Sequence, residues 1–169
     1  TALALMGAVA ACQSEGDVAT PEARPWEAIE PGGDTLCATG TPFRFHVRGG
    51  DPDRVMVFLN GGGACWNGDL CDLETEPTPY ATFADMDSNN PAYLGGVFDD
   101  TNPENPFAGW TQIFVPYCTG DSHLGARDAA YTTSGGKQVT VYHRGKTNVQ
   151  AALDWLYANR QAPAKVFVT

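Results

Sequence analysis

Val55-Met-Val-Phe-Leu59 runs without a break into Asn60-Gly61-Gly62-Gly63-Ala64-Cys65-Trp66. Five consecutive apolar residues with no polar alternation predict a strand covered on both faces. Three glycines then end it at what would be its carboxyl edge. Working outward, Thr111-Gln-Ile-Phe-Val-Pro-Tyr117 reads as the next strand, and Val139-Thr-Val-Tyr142 as a short extended piece. Val149, Ala152, Leu153, Leu156 and Tyr157 recur at helical spacing, with Thr147 or Asn148 as the cap and Asn159 and Pro163 closing the helix. Lys165-Val-Phe-Val-Thr169 begins a further buried strand. Upstream, Phe43-Arg-Phe-His-Val-Arg48 alternates with period two, as a half-buried strand would, and Gly49-Gly-Asp-Pro-Asp53 turns the chain. Residues 64–110 are crowded with Asn, Asp, Pro and Gly and predict irregular structure. Strand, glycine loop, strand, helix and strand together imply an α/β sheet with right-handed crossovers.

The chain has 169 residues, 43% of them apolar, which is one domain's worth and enough to bury a core. Its 10 basic against 20 acidic residues give a net charge of −10. That balance argues against a nucleic-acid surface or a polybasic contact with lipid. The excess is uneven: Val55 to Ala126 holds ten acids and no Lys or Arg. A solvated acidic surface is the simplest reading. A calcium loop at Asp85-Met-Asp-Ser-Asn89 fails, because Asn90 and Gly96 stand where an EF-hand needs Gly and Glu.

The amino-terminal residues Ala2-Leu-Ala-Leu-Met-Gly-Ala-Val-Ala-Ala11 form an apolar run too short to span a bilayer, like the core of a secretory signal. Val9-Ala-Ala-Cys12 resembles a bacterial lipobox, which would lipidate Cys12; Ala8-Val-Ala10 would equally serve ordinary secretion. Residues 1–12 are therefore read as signal and lipobox, 13–36 as a tether, and 37–169 as the folded part. The apolar strand at the carboxyl end suggests a chain that continues past Thr169. Setting Cys12 aside leaves Cys37, Cys65, Cys71 and Cys118, an even number that fits export. The expected pairs are Cys65–Cys71 and Cys37–Cys118. His46, His123 and His143 do not stand at zinc-ligand spacing to these cysteines, so no metal is expected.

Chemistry is concentrated at the glycines. Residues without Cβ can present bare amides to a ligand, and two amides aimed at one point would stabilise a developing oxyanion. A phosphate loop is excluded by the lack of GxGxxG, of GxxxxGK[ST], and of a helix directly after the glycines. A plain turn that needs positive φ is the competing reading. The order of elements favours the oxyanion reading, since a glycine loop after an early strand and a later strand leading to G-x-S-x-G is an α/β-hydrolase arrangement. No Ser in the chain has that context; Ser134 precedes Gly135-Gly136, but no buried strand leads into it.

Several segments resemble the pectin acetylesterase family, Notum-type carboxylesterases included. They are Phe58-Leu-Asn-Gly-Gly-Gly-Ala-Cys-Trp66 with Cys71, Asn105-Pro-Phe107 with Trp110, Val115-Pro-Tyr-Cys-Thr-Gly-Asp121 with His123 and Gly125, His143-Arg-Gly145, and Asn148-Val-Gln-Ala-Ala-Leu-Asp-Trp155. The resemblance implies the N-terminal part of an α/β-hydrolase-like serine esterase. It places oxyanion donors at Gly62 and Gly63, and the serine, acid and histidine beyond Thr169. His143 is then structural, at the turn before the helix. Asp121 and His123 either line the substrate site or order its loop, and Trp66 is either a pocket wall or core packing beside the disulfide.

The implied substrate is an acylated polysaccharide or a small ester, with no cofactor, no nucleic-acid partner, and membrane contact only through a lipid anchor. Pectin itself is a polyanion that the acidic stretch would repel. Secretion or a lipoprotein of the bacterial cell envelope is the expected location. The chain alone is expected to lack turnover and to be poorly soluble. The alternative is a non-catalytic extracellular carbohydrate-binding module with Trp26, Trp66 and Trp110 as stacking surfaces.

Overall fold

A computed structural model of the protein describes residues 23–160 and 162–169. Cys12, the signal-like run and most of the expected tether lie outside the described residues. The central strand is β3 (Asp51–Leu59), flanked in parallel by β4 (Trp110–Val115) on one side and β7 (Lys165–Val168) on the other. Beyond β4, β2 (Phe45–Arg48) and then β1 (Glu27–Ile29) continue antiparallel, giving the order β1-β2-β4-β3-β7. A separate hairpin pairs β5 (Arg127–Thr132) with β6 (Gln138–His143). The helices are a single turn, α1 (Gly68–Cys71), and α2 (Gly145–Asn159).

Alternation explains the unbroken apolar run of β3. Val55 and Val57 face α2, in one cluster with Phe45, Val47, Ile113, Val115, Ala152 and Leu156. Met56 and Phe58 face the opposite side, where Phe98 and Phe114 meet them. The covering layer there is the 60–109 crossover, regular only in α1 and three short 3-10 turns, Asp87–Asn89, Pro91–Tyr93 and Gly96–Phe98. The disulfides Cys37–Cys118 and Cys65–Cys71 form as expected. The first closes a separation of 81 residues and the second one of 6. On the chain-entropy view they contribute about 4–5 and about 2 kcal/mol.

Five expectations change. β2 is buried on both faces, because Phe98 covers the side that period two assigned to solvent. Arg48 is 4% exposed there, donating Nη1 to the Phe98 carbonyl at 2.7 Å, with its guanidinium 4.3 Å above the Trp26 ring. The turn is confined to Gly49-Gly50, since β3 already starts at Asp51, with a register shift before Val55. β1 occupies part of the expected tether: Glu27, Ala28 and Ile29 pair with Val47, His46 and Phe45. Finally, α2 starts at Gly145 with neither Thr147 nor Asn148 as cap. Asn148 is 2% exposed and donates Nδ2 to the Leu36 carbonyl at 2.9 Å. β7 is not buried: Val166, Phe167 and Val168 are exposed along the sheet edge. Among the described residues, no helix is long and apolar enough to cross a membrane.

Candidate active site

The glycine loop leaves the sheet at the carboxyl end of β3, immediately after the last ladder bond, Asn60 N–H to the Val115 carbonyl at 3.0 Å. Gly62 lies against Tyr117, whose ring would stand 2.6 Å from an added Cβ. Gly63 takes φ +81°, and an added Cβ would collide with the Pro79 carbonyl. Gly62 thus requires glycine for packing, and Gly63 for packing as well as for conformation. A strap at residues 79–81 fixes the loop: Gly63 pairs with Tyr80, and the Ala81 N–H donates to the Gly62 carbonyl at 2.7 Å. Among the described residues, no backbone carbonyl accepts from the Gly62 or Gly63 amide. Two neighbouring N–H donors therefore remain uncommitted at the end of the central parallel strand, at a half-buried and an exposed residue respectively.

Tyr80 is itself 3% exposed, with no partner for its hydroxyl among the described residues. Burial, with Tyr117 and Tyr131 adding to it, pushes its phenol up to about 12. A neutral aromatic wall thus backs the loop.

The residues that follow divide into two groups. Cys65 N–H donates to the Gly120 carbonyl at 2.9 Å, which ties the loop to the segment after β4. Trp66 then projects with 69% exposure. It lines a cleft of about 420 Å³ together with Asp121, Leu124, Arg127, Tyr131 and His143. Trp66 therefore has the position of a pocket wall; it does not pack in the core.

Asp121 is spent on its own neighbourhood. Its Oδ1 accepts from Thr119 Oγ1 at 2.6 Å and His123 N–H at 3.1 Å, and its Oδ2 from Gly125 N–H at 3.1 Å and Gly145 N–H at 2.7 Å. These bonds use the roughly four lone-pair sites of a carboxylate. Asp121 thus caps α2 from 24 residues upstream, where a negative charge suits a helix N-terminus. An added Cβ on Gly145 would meet that carboxylate, so glycine opens the helix.

His123, at φ +61°, sits edge-on to Tyr117 with ring centroids 5.1 Å apart. Its Nε2 is 2.9 Å from the Asn60 carbonyl. A carbonyl only accepts, so Nε2 carries the proton there. His143 is 5% exposed, with Nδ1 2.8 Å from the Thr119 carbonyl and Nε2 2.9 Å from the Tyr131 hydroxyl. That is the structural role expected of it. Cys65, Cys71 and His143 bring their donor atoms within 4.8 Å of one another. Both sulfurs are bonded to each other and both imidazole nitrogens are hydrogen-bonded, so the group has no free ligand atoms for an ion.

Sequence reasoning missed Asn60, Tyr80, Ala81 and Asn89, which hold the loop. Asn60 opens the aperiodic crossover and the other three lie within it, where pattern reading has nothing to work on. It also missed β5, whose Arg-Asp-Ala-Ala start carries little strand propensity.

Among curated proteins, none matches this sequence. Among solved structures, the Wnt deacylase Notum from Drosophila is similar, with a TM-score of 0.58 and 18% identity over 80% of this chain. The match spans 37% of the Notum chain. At that identity the likeness concerns the fold, and it bears out the α/β-hydrolase-like sheet expected from the order of elements. The family model described as pectinacetylesterase matches residues 29–168. That match covers most of the chain, and the chain belongs to the pectinacetylesterase family.

Proposed function

We propose that this chain contributes the oxyanion-binding part of a secreted carboxylic ester hydrolase that removes acyl groups from a polysaccharide or a small ester. The observation that carries this reading is the pair of Gly62 and Gly63 amides, uncommitted to any described carbonyl and braced from behind by the 79–81 strap. In this reading a serine on polypeptide following Thr169 attacks the ester carbonyl, and a histidine supplied from the same region takes its proton. The tetrahedral oxyanion rests on the two amides, and water then releases the acid. Trp66 forms one wall for the acyl or sugar group. Asp121 and His123 order the loop that carries the cleft, with His123 also facing the site. The acidic surface disfavours a polyanionic substrate and favours a neutral acylated one. The two disulfides support an exported protein, and Cys12 is the proposed site of lipid attachment if the product is a bacterial lipoprotein.

The alternative, a carbohydrate-binding module, has less support. Trp26 and Trp110 are half-buried, under Arg48 and against Phe107, and only Trp66 offers an open face.

The test is steady-state hydrolysis of an aryl acetate by the protein extended through the proposed serine segment. Gly63→Ala keeps the backbone N–H, but its Cβ meets the Pro79 carbonyl and must displace that amide; it is expected to lower kcat by about 10²–10³-fold, the size of effect seen when one oxyanion donor is lost. The present chain alone is expected to show no turnover above background. Full kcat in Gly63→Ala, or inhibitor-sensitive turnover by this chain alone, would overturn the reading.

A further inference from the structure

Three segments bound the glycine loop, and one side chain is tied to all of them. Asn60 leads into the loop, Tyr117 lies under Gly62, and the strap that holds the Gly62 carbonyl continues to Phe83. Asn89, in the first 3-10 turn of the crossover, is 0% exposed. Its Oδ1 accepts from Asn60 Nδ2 at 2.8 Å and from Tyr117 N–H at 3.1 Å. Its Nδ2 donates to the Tyr117 and Phe83 carbonyls, both at 2.8 Å. Two donors and two acceptor sites are the full capacity of a carboxamide. The backbone partners also fix which atom is oxygen, since Tyr117 N–H can only donate and the two carbonyls can only accept.

The sheet does not need this residue. The β3–β4 ladder is complete by the Asn60 N–H bond to Val115. Past that point Asn60 and Tyr117 diverge, and the N–H and carbonyl of Tyr117 both go to Asn89. The carboxamide thus carries the pairing one step beyond the sheet, at the place where the glycine loop begins.

We propose that Asn89 is the positioning residue of the oxyanion loop, setting where the Gly62 and Gly63 amides stand through Asn60, Tyr117 and the strap. It touches no substrate. The proposal rests on the oxyanion reading above.

The test uses the extended protein with an aryl acetate, and amide hydrogen exchange as a second readout. Asn60→Ala removes the Asn60 Nδ2 bonds to Asn89 Oδ1 and to the Ser88 carbonyl, both at 2.8 Å, at a half-buried position. It is expected to lower kcat about 10-fold with KM within about twofold, the pattern of a misplaced transition-state contact. Asn89→Asp keeps the size but removes both donors. It is expected to lower kcat by about 10²-fold, and to speed exchange at Ala81 while the β4 amides stay protected. If Asn89→Asp does not fold, Asn60→Ala decides. Wild-type turnover with kcat unchanged in the folded variants overturns the positioning role and leaves the esterase reading standing. A rise in KM at constant kcat also overturns it. Absence of turnover in the extended wild-type protein overturns both.

Discussion

His46 shows what burial does to a single residue of this chain. It is 8% exposed, on β2 between β1 and β4, and its ring meets Phe114 edge-on. Burial, helped by the positive charge of Arg44, pushes its imidazole down to about 4. The unfolded chain takes up that proton near pH 6.5. Between those values the unfolded state binds more protons, so stability is fully present above about pH 6.5 and declines as pH falls toward 4. The decline is about 3 kcal/mol from this residue alone. Urea unfolding at pH 7 and pH 4.5 checks it: His46→Phe should flatten the difference, and an unchanged slope would refute the assignment. Asp100 is separable, because hydrogen bonding to Arg24 holds its carboxyl down to about 2 and its own loss comes below this window. Histidine in a period-two strand signals a polar face in sequence; in the fold it is buried, with the Phe114 ring packed against it.

At the scale of elements, α2 illustrates how a helix boundary can be set from outside. Sequence rules look for a cap among adjacent residues, and Thr147 or Asn148 satisfies them. The helix instead begins at Gly145, whose N–H reaches the Asp121 carboxylate at 2.7 Å. Asp121→Asn would turn an amide nitrogen or lose an acceptor toward the Gly125 and Gly145 N–H groups. We expect it to cost about 1–3 kcal/mol, read as a lower Tm, with the 119–125 loop and the first turn of α2 losing exchange protection together. A local loss at the loop with the helix start unaffected would show that the cap is not shared. The interior of α2 was legible because apolar spacing records which face meets the sheet. Its start was not, since the partner is 24 residues away. The same distinction applies at β3. Its apolar run announces a doubly covered strand, whereas the bracing of the glycines by Tyr80, Ala81 and Asn89 depends on how an aperiodic crossover folds back.

The molecule as a whole is a half-wrapped sheet. One edge ends at β1, a short strand with Glu27 and Ala28 exposed. The other ends at β7, where Val166, Phe167 and Val168 are 46%, 44% and 57% exposed and pair only with β3 among the described residues. An apolar strand with an open row of backbone donors and acceptors invites pairing with another chain. This chain expressed alone should self-associate, and Val168→Lys should shift it toward monomer in sedimentation velocity; a monomeric wild type would refute this. The sequence by itself determined the strand–glycine loop–strand–helix–strand order, the pairing of the four cysteines and the family, because each is written in local pattern or in residue types that tolerate few alternatives. The tertiary structure alone decided that Asp121 serves the helix and its loop, that β2 has no solvent face, and that the Gly62 and Gly63 amides have no backbone acceptor among the described residues. Those outcomes depend on groups far apart in the chain competing for the same donors and acceptors, and that competition is settled only when the layers close.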